Sequence, residues 1–128
     1  MDKVFIPQGY QRVMPYVIVK GADDFLRFMK DVFGATEKMM HRRESGEVMH
    51  AEVFIGDSVI MFANSADQWQ PMTAGLYIHV ADVDATYKLA LQHGATSVNE
   101  IADQGYGRSG GVLDPFGNTW WITTTTPQ

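Results

Sequence analysis

The side chains best suited to chemistry in this 128-residue chain are His50 and Glu52, in the run His50-Ala51-Glu52. Residues two apart share one face of a β-strand. On a strand, this imidazole and carboxylate make an acid/base pair or two metal ligands. His79 is the third candidate, and with it the chain offers a His₂Glu set of the kind that holds zinc, so a divalent metal at such a site stays open. The plainer reading of His50 and Glu52 is a polar pair on an exposed sheet face. A His-x-Glu run also marks zinc deaminases, but those need a Pro-Cys-x-x-Cys segment and this chain has no cysteine.

Other motifs carry less. Gly105-Tyr106-Gly107-Arg108-Ser109-Gly110 matches G-x-G-x-x-G. It does not join a strand to a helix, so it is no dinucleotide loop. It reads as a flexible loop from which Tyr106 and Arg108 could close over an anionic ligand, or as a solvated loop with incidental charge. There is no G-x-S-x-G elbow and no Walker loop. The lack of cysteine removes disulfides, thiol nucleophiles and Cys-based metal sites, and fits a cytoplasmic setting. A net charge of −5 argues against a nucleic-acid surface. No apolar run approaches the ~20 residues of a membrane span.

The elements that must position these residues come twice. Phe33-Gly34-Ala35-Thr36 returns as His93-Gly94-Ala95-Thr96, and similar patterns flank both copies. Two modules of half-chain length, each too small to bury a core comfortably, are expected. In the first, Val13 to Lys20 reads as a strand and Asp23 or Asp24 as an N-cap. Phe25, Phe28, Met29, Val32 and Phe33 form a helical stripe ended by Gly34. Strands at 36–43, 47–55 and 58–63 follow. In the second, Gly75 to Val80 is a strand and Asp82 caps a helix carrying Val83, Tyr87, Ala90 and Leu91. Thr96 to Ile101 is a strand, Asp114-Pro115-Phe116-Gly117-Asn118 a turn, and Thr119–Thr124 the last strand. Module one spans about 12–64, a polar linker 65–73 and module two about 74–125, with Pro127 and the end frayed. The fold class is α+β: tandem βαβββ modules, eight strands curving around a cleft, helices outside.

Two such halves, with Gly94-Ala95-Thr96 and Asp114-Pro115-Phe116-Gly117-Asn118-Thr119-Trp120 in the second and Phe33-Gly34-Ala35 and His50-Ala51-Glu52 in the first, resemble one family. It is the glyoxalase/bleomycin-resistance/extradiol-dioxygenase (vicinal oxygen chelate) superfamily, in its PhnB-like branch. The resemblance covers Val13 to Thr124. It implies a homodimer and a cleft that serves isomerases, dioxygenases, a transferase or noncatalytic drug-sequestering proteins. In the metal-dependent members it implies one ligand on the first and last strand of each module. Those positions here fall near Met14, on Met61, near Gly75 and on Trp121, where thioethers, a glycine and an indole replace His, Glu or Gln.

Strand alternation places Tyr16 and Ile18 with Met14, Val59 and Ala63 with Met61, Tyr77 and His79 with Gly75, and Thr119 and Thr123 with Trp121. His50 and Glu52 join them if Ala51, Val53 and Ile55 face the helix. The expected protein therefore binds a small organic molecule, with no cofactor and no standard metal, through Tyr16, Met61, Tyr77, His79, Arg108 and Trp121. The alternatives are an enzyme using His50, Glu52 and His79 as acid/base groups or as ligands of a relocated metal, and a structural protein whose cleft is plugged by those same large side chains.

Overall fold

A computed structural model describes residues 3–126, so the expected fraying at Pro127 lies outside the described residues. The elements run β1 (Tyr16–Val19), α1 (Ala22–Phe33), β2 (Thr36–Arg42), β3 (Val48–Ile55), β4 (Ser58–Asn64), β5 (Gly75–His79), α2 (Val83–Gln92), β6 (Thr96–Gln104), β7 (Gly107–Leu113) and β8 (Thr119–Thr124). The strands pair in two mixed four-stranded sheets, ordered β1-β4-β3-β2 and β5-β8-β7-β6. In each, the first strand of the module runs parallel to the last and the remaining neighbours are antiparallel. This is the α+β architecture of two βαβββ modules. Two compact units follow the same division: one reaches Lys30 and resumes from Gly34 to Met72, and the other takes Asp31–Phe33 and the chain from Thr73 onward.

In the first unit Phe25, Phe28 and Met29 of the stripe are buried, together with Val17, Ala51, Val53 and Phe62 of the sheet. The Phe25 and Phe62 rings meet edge to face, 5.3 Å between centroids. Burying each such side chain contributes roughly 1.5–3 kcal/mol. The stripe has the period of a helix and the sheet residues the period of a strand, so each element presents one apolar face. Gly34 ends α1 in the left-handed region (φ 70°) and its N–H returns to the Lys30 carbonyl.

Two expectations for this unit are corrected. Neither Asp23 nor Asp24 caps α1. The N-cap is Gly21, and the Ala22 N–H is accepted by the Asn64 side chain at the end of β4, 2.7 Å away. Asp23 instead pairs with both terminal nitrogens of Arg42. The first strand begins at Tyr16 rather than Val13: Pro15 has no N–H to give a ladder, although its carbonyl accepts from Met61. The polar segment after β4, expected as a linker, makes backbone pairings of its own. Met72 exchanges two 2.9 Å backbone hydrogen bonds with Ile18 and so covers the free edge of β1.

In the second unit Trp120, Ile122 and Val112 are buried with Val83 and Ala90 of α2. Asp82 caps α2 through the Ala85 N–H, and Thr124, at the end of β8, accepts the Val83 N–H at 2.8 Å. The turn before β8 is organised by Asp114, whose carboxylate accepts from the Phe116 and Asn118 N–H groups, Asn118 Nδ2 and Trp120 Nε1. Residues 105–111 are not a flexible loop. Gly107–Leu113 is β7, paired on both sides, and only Gly105-Tyr106 turns the chain. Its glycines serve close packing: a Cβ at Gly110 would sit 2.8 Å from Ile101 and 3.1 Å from Tyr87.

Candidate functional site

The register of the first sheet brings the sequence-selected residues of that half onto one face. Tyr16 lies beside Met61, Met61 beside Glu52, and Glu52 beside Met39. His50, two residues before Glu52, points the same way. Ala51 and Val53, of opposite parity, are buried. The His50 ring bridges the row: Nε2 lies 2.6 Å from Glu52 Oε2 and Nδ1 lies 3.1 Å from the Tyr16 hydroxyl.

Glu52 is 3% exposed. Besides His50 it accepts a 2.6 Å hydrogen bond from the Tyr10 hydroxyl, and Lys38 Nζ stands 3.6 Å from the same oxygen. Lys38 in turn donates to the Tyr10 oxygen at 2.8 Å, lies over the Tyr10 ring, and is held above its ordinary pKa, first by that hydrogen bond. Burial pushes the Glu52 carboxyl up. The hydrogen bonds from Tyr10 and His50 and the charges of His50 and Lys38 outweigh it, and the net shift is downward. Glu52 is therefore an anion that only accepts. In the neutral imidazole, Nε2 then carries the proton and Nδ1 accepts from Tyr16. Burial raises the Tyr16 pKa and Glu52 adds to this; the charge of Arg43 opposes it but does not reverse it. The phenol stays a donor.

Beside this chain lies a cavity of about 400 Å³. Its walls include Tyr16, Ile18, Met49, Trp69 and Met72, and Arg43 borders it. Trp69 is 59% exposed, and Tyr16, Met49 and Met72 are also exposed although apolar. A backbone pair between Ala66 and Trp69 and the Met72 pairing with β1 carry these two residues to the cavity. Sequence reasoning missed Tyr10, Lys38, Arg43, Met49, Trp69 and Met72. The available signal was a tryptophan inside an otherwise polar segment.

Met14 and Met61 line a second, apolar cavity of about 330 Å³ together with Val4, Phe5, Ile6 and Tyr10. The segment that supplies these residues is tied down by Gln11, whose side chain bonds both the carbonyl and the N–H of Val59.

In the second unit Tyr77 lies beside Trp121, and Trp121 beside Gly111. Aligned on the first unit by register, Tyr77 falls on Tyr16, Trp121 on Met61, Gly111 on Glu52 and Ser109 on His50. The imidazole and carboxylate thus have no counterparts there. A Cβ at Gly75 would fall 2.7 Å from the Trp121 ring and one at Gly111 3.3 Å from it, so the indole occupies the room those glycines leave. His79 has Tyr77 as its ring neighbour, 5.3 Å between centroids. Arg108 does not reach out as a free cation: Asp84 holds it by two bonds of 2.9 and 3.0 Å and Asp103 by one of 3.1 Å. Among the described residues no three His, Cys, Asp or Glu side chains are grouped to hold a metal ion.

The glyoxalase family model, described as the Glyoxalase/Bleomycin resistance protein/Dioxygenase superfamily, matches residues 9–122. The chain belongs to this superfamily. It is 31% identical to the uncharacterized protein Mb0911c of Mycobacterium bovis over 118 residues, 83% of this chain and 78% of that one. Its fold is similar to that of the PhnB protein of Bacillus cereus, with TM-score 0.70 and 15% identity over 90% of this chain and 100% of that one. It is also similar to TnmS3, an antibiotic binding protein from Streptomyces sp. CB03234, with TM-score 0.70 and 17% identity over 91% of this chain and 100% of that one.

The resemblance of this chain to metal-dependent superfamily members calls for a test of fit. Met14 and Met61 face an apolar cavity, Gly75 has no side chain, and the Trp121 ring lies across it. Thioethers and an indole do not suit a hard divalent cation. These four positions do not fit the superfamily metal.

Proposed function

We propose that this superfamily member binds a small organic molecule without covalent chemistry, in the cavity beside Tyr16. The observation that carries the reading is the composition of that cavity: about 400 Å³ walled by aromatic and thioether side chains with few polar groups. Cavities of this size and make-up suit drug-sized ligands. Methionines adapt to ligand shape, and the rings of Tyr16 and Trp69 offer flat contact area. The fold likeness to an antibiotic binding protein supports the same reading by analogy. The proposed setting is the cytoplasm and the proposed assembly a homodimer, to be checked by light scattering. No helix among the described residues is long and apolar enough to cross a membrane.

The test is a thermal-shift screen of aromatic and heteroaromatic compounds, with and without added divalent metals. Shifts that do not depend on metal and that vanish in Trp69→Ala are expected. Shifts that require metal would transfer the function to a relocated metal site.

A second reading, general acid catalysis, rests on the Tyr16–His50–Glu52 hydrogen-bond chain. Glu52 orients the imidazole, and the imidazole orients a phenol that stays protonated at the edge of the cavity. Turnover of a bound compound that is lost in His50→Gln, with binding retained, would favour this reading. Binding without turnover favours the first.

A further inference from the structure

We propose that the cavity beside Tyr16 selects a planar aromatic carboxylate, and that Arg43 is the residue that recognises its charge. The proposal rests on the small-molecule reading above and adds the ligand class. Among the described residues Arg43 is the one charged side chain that borders the cavity. It follows β2 directly, and its backbone is locked in the hairpin turn: its N–H donates to the Glu47 carbonyl and its carbonyl accepts from the Gly46 N–H, both at 2.8 Å.

Its hydrogen-bonding capacity is not used up. Arg43 Nη1 is shielded from water and has no hydrogen-bond partner. The nearest carboxylate oxygen, Glu47 Oε1, stands 3.7 Å away, beyond hydrogen-bonding distance. The other oxygen of Glu47 accepts from Asn64 Nδ2 at 3.2 Å, which draws that side chain elsewhere. Arg42 and Arg108 differ. Arg42 is filled by Asp23 and the Gly46 carbonyl, and Arg108 by Asp84 and Asp103.

Nη1 itself is closed off inside the wall, but the Arg43 side chain is 29% exposed, so a ligand in the cavity meets the guanidinium at its open edge. A carboxylate matches the planar fork with two parallel bonds. Tyr16 and Trp69 supply flat faces for an attached ring, and Met49 and Met72 adapt to its edge. A neutral ring of the same shape would keep the walls and lose the fork.

The experiment is calorimetric titration of the full chain with 2-naphthoate and with its neutral isostere 2-naphthamide. Wild type is expected to bind the carboxylate roughly tenfold to hundredfold more tightly than the amide. Arg43→Gln should erase that ratio by weakening only the carboxylate. Arg43→Lys should restore part of it, which guards against a folding defect in the first variant. Trp69→Ala should weaken both probes. Equal binding of the two probes to wild type, or an unchanged ratio in Arg43→Gln, overturns the charge recognition while the cavity reading survives through Trp69→Ala. Failure of both probes to bind, or binding that Trp69→Ala leaves unchanged, overturns the cavity reading and this proposal with it.

Discussion

Among the described residues each unit buries one carboxylate, Glu52 on a strand and Asp114 in the turn before β8, and the two are held by opposite kinds of partner. Asp114 and Glu52 are both 3% exposed. The donors to Asp114 are two backbone N–H groups, an amide and an indole, none of which titrates near neutrality. The donors to Glu52 are a phenol and an imidazole, with an ammonium close by, and through His50 they reach the Tyr16 hydroxyl at a cavity. The first arrangement fixes a turn. The second spends buried charge on side chains that a ligand or a proton could reach. A buried carboxylate marks function by what holds it, not by burial itself.

The largest effect that can break this contrast is at Asp114. Asp114→Ala leaves four donors without an acceptor, two of them on buried Asn118, and should lower stability by roughly 3–5 kcal/mol in urea titration. A loss below about 1 kcal/mol would mean that the turn does not need its carboxylate. Glu52→Gln keeps the shape and removes the charge, and should cost roughly 1–3 kcal/mol.

This second variant also carries a pH signature. The folded pKa of Glu52 lies below its ordinary value of 4.5. Its stabilisation is therefore complete above 4.5 and declines as pH falls through the lower folded value. The gap between wild type and Glu52→Gln should narrow at acid pH. A gap that widens there would show that burial, not the donors, controls this group.

Next in size is Gly75→Ala, which pushes a methyl into the Trp121 ring and should cost roughly 1–2 kcal/mol. In a Trp121→Ala background the same change should cost less, and a double-mutant cycle measures the difference. Smallest in stability is Trp69→Ala, within about 0.5 kcal/mol by thermal unfolding because the side chain is exposed. Affinity for a cavity ligand should fall by roughly 2 kcal/mol in the same variant. A stability loss as large as the affinity loss would make Trp69 a packing residue.

The regular parts of the molecule were legible in the sequence because periodicity is a property of the element itself. The stripe from Phe25 to Val32, the αL glycine at 34 and the Asp82 cap need no knowledge of the rest of the chain. Strand parity likewise put His50 and Glu52 on the face of Tyr16 and Met61. The remaining site residues come from segments with no period. Tyr10 reaches Glu52 from 42 positions away, and Met72 returns to β1 through two backbone bonds. Glycines misled in one place: at 110 and 111 they make room for Ile101, Tyr87 and Trp121, and composition alone cannot separate room from flexibility.

The close approach of Gly75 and Trp121 also constrains how this chain could change over generations. A metal ligand at position 75 has to bring a Cβ to a point 2.7 Å from the indole, so that substitution is harmful while Trp121 stays. Once position 121 carries a smaller carboxylate, the same substitution is relieved. The order of mutation then matters: a side chain at 75 costs less after Trp121 is replaced than before. The cost of a side chain at 75 is thus set by the residue at 121, and the two positions are coupled.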